Sequence, residues 1–441
     1  ELRSNLRTQY NQDLLVLRGD VEECFSNLHN QYKINAVYSH EETGIDWTYK
    51  RDLRIAKFFK KFGVNWHEHP QGGVIRRLKT RDEWKKLQEI RLIKSCIPEP
   101  DCLAKPPRID FPDAPLSTFS LPKNNVSEVQ RGGRDAGIST LLGFLNRRGR
   151  TYQKSISKPG LARQSCSRLS PHLSFGTLSI REVMQSTWST MRDAKNNGDW
   201  VLRRNLAAFQ SRLHWHCHFI QKLEDQPHIE FQCMHSSFEG MREPHHNDTR
   251  LEAWRNGRTG FPFVDACMRS LIQTGYLNFR MRAMLVSFAA YHLFLDWRRL
   301  NPVLASLFTD YEPGIHISQL QMQSGVTGIN TLRIYNPVKQ GMDHDPQGNF
   351  IREFVPELNH LSSDEIHLPT NLYAEPLVEL KSSLKFAREA ISAVRRSEGF
   401  RAIAKGVYNK LGSRKRSRKS KSSNQPNLLT RRQVSRLQNR K

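Results

Sequence analysis

The chain has 441 residues, 37% hydrophobic and 25% charged, too long for one ordinary domain and too apolar for wholesale disorder. Its formal charge is +25, from 68 Lys and Arg against 43 Asp and Glu, which points to an anionic partner, nucleic acid first among them. The longest nearly apolar stretch, Met284 to Leu295, contains Ser287 and His292 and is too short to span a bilayer, so no membrane association is expected.

The opening residues, Glu1 to Asp13, are polar and show no secretory signal, and a chain that opens on Glu reads as a piece of a longer protein. Leu14 to Leu17 is a short apolar run ending at Arg18-Gly19-Asp20, the pattern of a buried strand entering a turn. Val21 to Gln31 then predicts a helix, Ile34 to Tyr38 a strand, Trp47 to Phe62 a helix and Val64 to His67 a third strand. Alternating strands and helices predict an α/β unit with parallel pairing over residues 1–95. Seven prolines between Pro98 and Pro122 disfavour helix and sheet, and residues 96–130 read as a linker. From about residue 131 to 400 helices dominate, with candidates at 134–148, 179–195, 199–223, 262–275, 277–297 and 374–398. Residues 411–441 carry eleven basic and no acidic side chains and are expected to be a disordered tail, which leaves +14 on the other 410 residues.

The seven cysteines are odd in number and widely spaced, which reads as reduced intracellular thiols and not as a disulfide framework or a zinc ribbon. No Cys follows Cys267, which excludes a cysteine-held iron–sulfur cluster in the C-terminal half. His214 and His218 share a helix face within His214-Trp215-His216-Cys217-His218, but further ligands are lacking and no metal is expected. Cys166-Ser167-Arg168-Leu169-Ser170-Pro171 leads through Gly176 into a helix capped by Ser179, a cluster of hydroxyls and one Arg suited to phosphate oxygens. Trp254 to Arg269 carries two turn glycines and Pro262. Arg282, on a helix otherwise rich in apolar residues, demands a carboxylate partner.

These segments, in this order, resemble the flavin-binding helical domain of the DNA photolyase/cryptochrome superfamily from about Gly133 to Leu358, with Arg333 to Pro337 and Ile351 to Leu358 very like its closing motifs. The resemblance implies a partial doubly wound α/β N-terminal unit, a large all-α domain that buries FAD, and the basic tail. It implies FAD contacts from Tyr152, Ser167, Arg168, Leu169, Ser170, Arg282, Asp310 and Glu312, with Asp310 as the partner of Arg282. Cys166 stands where the family usually has Thr. The opening strand of the antenna unit has no counterpart, so no antenna pigment is expected.

Other departures fall at positions tied to function. Arg212 stands where repair enzymes place a lesion-binding Glu three residues before Trp215, His316 where an Asn often faces the flavin, and Met322 where a Trp would stack on substrate. Of the three tryptophans that carry electrons to the flavin, only the middle one matches, as Trp297. Leu320 and Phe231 hold the other two places. The implied activity is that of a photolyase-type lyase, repairing pyrimidine dimers in single- or double-stranded DNA under blue light, with Trp215, Trp297 and His316 as catalytic residues. The second reading is a cryptochrome-type photoreceptor without repair, and the third a flavin-free basic nucleic-acid binder. The tail is read as a contact for nucleic acid or another protein. The expected location is the cytoplasm, or the nucleus in a nucleated cell through Arg414 to Lys419.

Overall fold

In the computed structural model, which describes residues 1–104 and 126–414, two of the three expected strands form, each a little further along the chain than the apolar runs. β1 (Ala36–His40) and β2 (Asn65–His69) pair in parallel, with Val37 opposite Trp66 and His40 opposite His69. The same stretch of chain holds helices α1 (Leu2–Tyr10), α2 (Val21–Tyr32), α3 (Asp46–Phe62) and α4 (Arg81–Ile93). Asp20 caps α2 by accepting from the Glu22 N–H at 2.9 Å. One sheet face packs on α2 and α3 through Val37, Trp66, Phe25, Ile55 and Phe59. The expected strand at Leu14 to Leu17 does not form. A strand needs a neighbour, and here side chains take its place: Arg3 donates to the Leu14 carbonyl at 2.7 Å and Asp13 accepts from the Leu14 N–H at 2.7 Å.

Residues 96–104 and 126–130 contain no helix or strand, while 105–125, the rest of the expected linker, and 415–441, most of the expected tail, lie outside the described residues. The helical body runs through α5 (Arg134–Asn146), α6 (Tyr152–Ser155), α7 (Pro159–Ser165), α8 (Ser170–Ser174), α9 (Ile180–Asn196), α10 (Trp200–Asp225), α11 (Asp248–Arg255), α12 (Pro262–Thr274), α13 (Phe279–Ser287), α14 (Trp297–Leu307), α15 (Pro313–Gln323), α16 (Pro337–His344), α17 (Asn349–Phe354), α18 (Leu380–Arg396) and α19 (Phe400–Leu411).

The single helix expected over 277–297 is divided. α13 passes into a π-helical turn at Phe288–His292, Phe294 turns left-handed, and Asp296 caps a new helix by accepting from the Arg298 N–H at 2.9 Å. Phe288 to Leu295 are buried all round, so no polar stripe marks the break in the sequence. The helix expected from 374 begins only at Leu380, because Glu379 accepts from the backbone N–H groups of Lys381 and Ser382. α10 is the central element, packed against α9 and α15. Gly314 makes the second contact possible, since a Cβ there would lie 2.5 Å from the Ile220 Cα. At the far end Phe400 stacks on His235 with centroids 3.9 Å apart, Leu411 is buried, and Arg414 pairs with Asp82 on α4. No helix among the described residues is long and apolar enough to cross a membrane.

Candidate functional site

The segment between α7 and α8 forms one wall of the site. Arg168 is left-handed (φ 59), which turns the chain so that Ser170 opens α8. The Arg168 guanidinium lies 3.6 Å over the Tyr276 ring and donates to the Gln130 side chain at 3.1 Å, while the Gln130 amide donates back to the Arg168 carbonyl at 2.8 Å. Leu169 is buried in the core, and the Ser167 carbonyl accepts from Arg148 at 3.4 Å. Burial pushes the neighbouring Cys166 thiol up to about 11, so it stays protonated at neutral pH. Tyr152, at the start of α6, packs edge-on against Phe144 and Phe209 at 5.6 and 5.9 Å, and burial pushes its phenol up.

The carboxylate that Arg282 demands is Asp310. The two are joined by parallel bonds of 3.0 and 2.9 Å, and Arg282 also donates to the Leu277 carbonyl at 2.5 Å. Burial opposes the Asp310 charge, but Arg282 and the Ser170 hydroxyl overcome it and hold the carboxyl below its usual range. Ser170, Arg282 and Asp310 are thus brought together as the resemblance implies. Glu312, two residues on, differs: burial and the nearby Glu42 push its carboxyl up to about 7. His316 on α15 is buried, and its Nε2 lies 3.3 Å from the Asn301 carbonyl. Burial pushes the imidazole down to about 4, so the ring is neutral and Nδ1 is left as an acceptor when Nε2–H faces the carbonyl.

α10 supplies the opposite wall. Leu213 and Cys217 are buried, yet Arg212 and Trp215, one turn apart on a shared face, are exposed. Trp215 retains 38% of its surface, stacks on Phe219 at 5.5 Å and meets His218 edge-on at 5.0 Å. His216 keeps accessible surface, yet burial pushes it down to about 4, and its Nδ1 has no partner. The Asp310 charge acts on His216, Ser170 bonds Asp310 and Tyr152 meets Arg212, so α10, Asp310 and the start of α8 flank one candidate hollow. The three histidines do not converge: His214 faces Gln88 at 3.0 Å, and His218 lies against Arg81 and Trp84. The hollow suits a flavin dinucleotide. Guanidinium and phenol groups line one end, and the neutral acceptor His316 and the Arg282–Asp310 pair would suit a polar ring.

The electron-chain positions run from core to surface. Leu320 is buried, Trp297 is fully buried at the start of α14 with its indole N–H beside the Cys233 thiol, and Phe231 is 55% exposed. Arg298 links the last two, lying 4.8 Å over the Trp297 ring and donating to the Phe231 carbonyl at 2.7 Å. Tyr276 and Gln130 were not among the expected cofactor contacts. Tyr276 follows the left-handed C-cap Gly275 of α12, which was the available signal, whereas Gln130 sits in the expected linker and carried none.

The family described as the FAD binding domain of DNA photolyase matches residues 209–394, which include α10 from Phe209 onwards, Arg282, Asp310 and α15. The deoxyribodipyrimidine photo-lyase of Halobacterium salinarum is 28% identical over 389 residues, covering 82% of this chain and 78% of that protein. The cryptochrome DASH of Gloeobacter violaceus is 28% identical over 433 residues, covering 89% and 83%. The crystal structure of a bacterial class III photolyase from Agrobacterium tumefaciens superposes with a TM-score of 0.76 at 24% identity, over 90% of this chain and 86% of that one, a likeness of fold.

Proposed function

The chain belongs to the DNA photolyase/cryptochrome superfamily and takes FAD as its cofactor, and on that premise we propose that it repairs pyrimidine dimers in DNA under blue light. The observation that carries the reading is Trp215, an aromatic face left open in a hollow beside the cofactor residues. A pyrimidine dimer extruded from the strand needs such a surface to stack on. Reduced, light-excited FAD would supply one electron to the dimer and recover it after the ring opens.

The protein's own residues bind, orient and exclude water. Arg282 is fixed by two bonds to Asp310 and by the Leu277 carbonyl, so its donors are preorganised. Tyr152, Ser167, Arg168, Leu169 and Ser170 form the cofactor-holding wall. His316 offers an uncharged acceptor to the ring, and Glu312, titrating near neutrality, supplies a carboxyl whose charge depends on pH. The net charge of +25 favours the DNA backbone as a docking partner. The unit organisation that goes with this reading is an antenna-type α/β unit over 1–95 joined by the linker to the helical cofactor domain.

A cryptochrome-type receptor without repair is the second reading, supported by Arg212 in place of a lesion-binding carboxylate. The experiment that separates the two is illumination of the FAD-loaded protein with an oligonucleotide bearing one pyrimidine dimer. Dimer loss that requires blue light and a reductant supports repair. Full flavin photochemistry with the dimer intact would overturn it in favour of the receptor.

A further inference from the structure

α10 buries twelve of its 26 residues, and Arg212 at its middle is exposed and forms no ion pair among the described residues. The other cations of the hollow are engaged. Arg148 donates to the Thr140 and Cys166 carbonyls at 2.7 and 2.6 Å, Arg168 lies on Tyr276, and Arg282 is tied to Asp310. Arg212 lies instead beside the Tyr152 hydroxyl. That placement is fixed from two sides: the Tyr152 ring packs 5.9 Å from Phe209, one turn before Arg212, and the Gln153 N–H is bonded to the Asn205 side chain of α10 at 2.8 Å. A guanidinium and a phenol O–H therefore converge on one end of the hollow, with no carboxylate between them.

We propose that Arg212 is a ligand of the FAD diphosphate, so that the position contributes a cation to the cofactor instead of an acceptor to the lesion. The inference rests on the FAD assignment and deepens it. The Tyr152 oxygen accepts from Arg212 and leaves the phenol proton and the other guanidinium N–H groups with no carboxylate to receive them, which calls for an anion, and the diphosphate is the anionic part of FAD. A pyrimidine ring offers neutral carbonyls and an N–H donor, and the N–H would find no acceptor on Arg212. Charge-assisted bonds from a planar fork to phosphate are among the strong ones.

The test is titration of flavin-stripped full chain with FAD, ADP and riboflavin, for wild type, Arg212→Ala and Arg212→Lys. Because Arg212 is exposed, the variants should keep the wild-type circular dichroism spectrum. The expected result is binding of FAD and ADP weaker by about 10- to 100-fold in Arg212→Ala, with riboflavin, which has no phosphate, unchanged and Arg212→Lys recovering part of the loss. Undiminished FAD affinity combined with lost affinity for dimer-bearing DNA would overturn the proposal and give Arg212 to the substrate. Equal weakening of FAD and riboflavin would also overturn it, making Arg212 a determinant of the hollow's shape. A wild type that binds no FAD would defeat the cofactor assignment itself, a failure distinct from either.

Discussion

Replacing Asp310 by Asn keeps the side chain's size and removes its charge, leaving Arg282 with a neutral neighbour. The Asp310 side chain is 5% exposed and Arg282 is 23% exposed, so the stranded guanidinium reaches water only in part. Breaking a buried pair from one side costs about 3–5 kcal/mol, and the partial exposure of Arg282 places the expected loss near the lower end. Against a total stability of about 5–15 kcal/mol, a loss near the lower end leaves a folded but weakened protein. The assay is urea unfolding with flavin absorbance read on the same samples, and both the midpoint and the flavin stoichiometry should fall. Arg282→Met in the Asp310→Asn background should recover part of the midpoint, because the uncompensated charge is then gone. The pH dependence carries a sign as well. The Asp310 carboxyl is held below its ordinary 3.8, so its stabilisation is complete above that value and fades as pH falls through the lowered one. Asp310→Asn should therefore flatten the acid limb of the stability curve. An Asp310→Asn protein with wild-type midpoint, stoichiometry and acid limb would refute the reasoning.

Lys222 is 4% exposed and its ammonium is pushed down from 10.5 to about 8 by burial and by Arg81, so the folded protein loses this proton before the unfolded chain does and gains stability as pH rises from about 8 to 10.5. Lys222→Met should add about 3 kcal/mol at pH 7 at most, the gain shrinking to nothing by pH 11; a gain independent of pH would show that the charge is not the cause. With Leu320 and Phe231 at two of the three relay positions, Trp297→Phe should change flavin photoreduction little in transient absorption with an external thiol present. Loss of rapid reduction in that variant would mean that Trp297 still feeds the flavin. Truncation after Arg414, which spares the buried Leu411, should leave DNA binding that weakens steeply with salt, and binding that vanishes with residues 415–441 would place the contact in the tail alone.

What the sequence made legible follows from how local the cause was. The demand of Arg282 for a carboxylate came from a charged residue on a helix rich in apolar side chains, and the partner was found 28 residues away in the chain, as Asp310. Asp20, Ser179 and Asp296 cap their helices through contacts only two or three residues long. The strand at Leu14 failed for a non-local reason, since a short apolar run says nothing of whether a neighbour exists. The break at Phe288 was hidden because burial on every side erases periodicity. The electrostatics of the hollow were the least legible, because they depend on elements far apart in the chain. Glu312 titrates near neutrality partly through Glu42, and His316 stays neutral because α15 is packed under α10 by Gly314. Arg212 belongs to the same class. Read alone it is a lost acceptor, but set beside the Tyr152 hydroxyl, with every other cation of the hollow engaged, its charge has a use. A substitution that looks like decay at a substrate position is then also a gain at a cofactor position, and the FAD, ADP and riboflavin titrations distinguish the two because FAD and ADP carry the diphosphate and riboflavin does not.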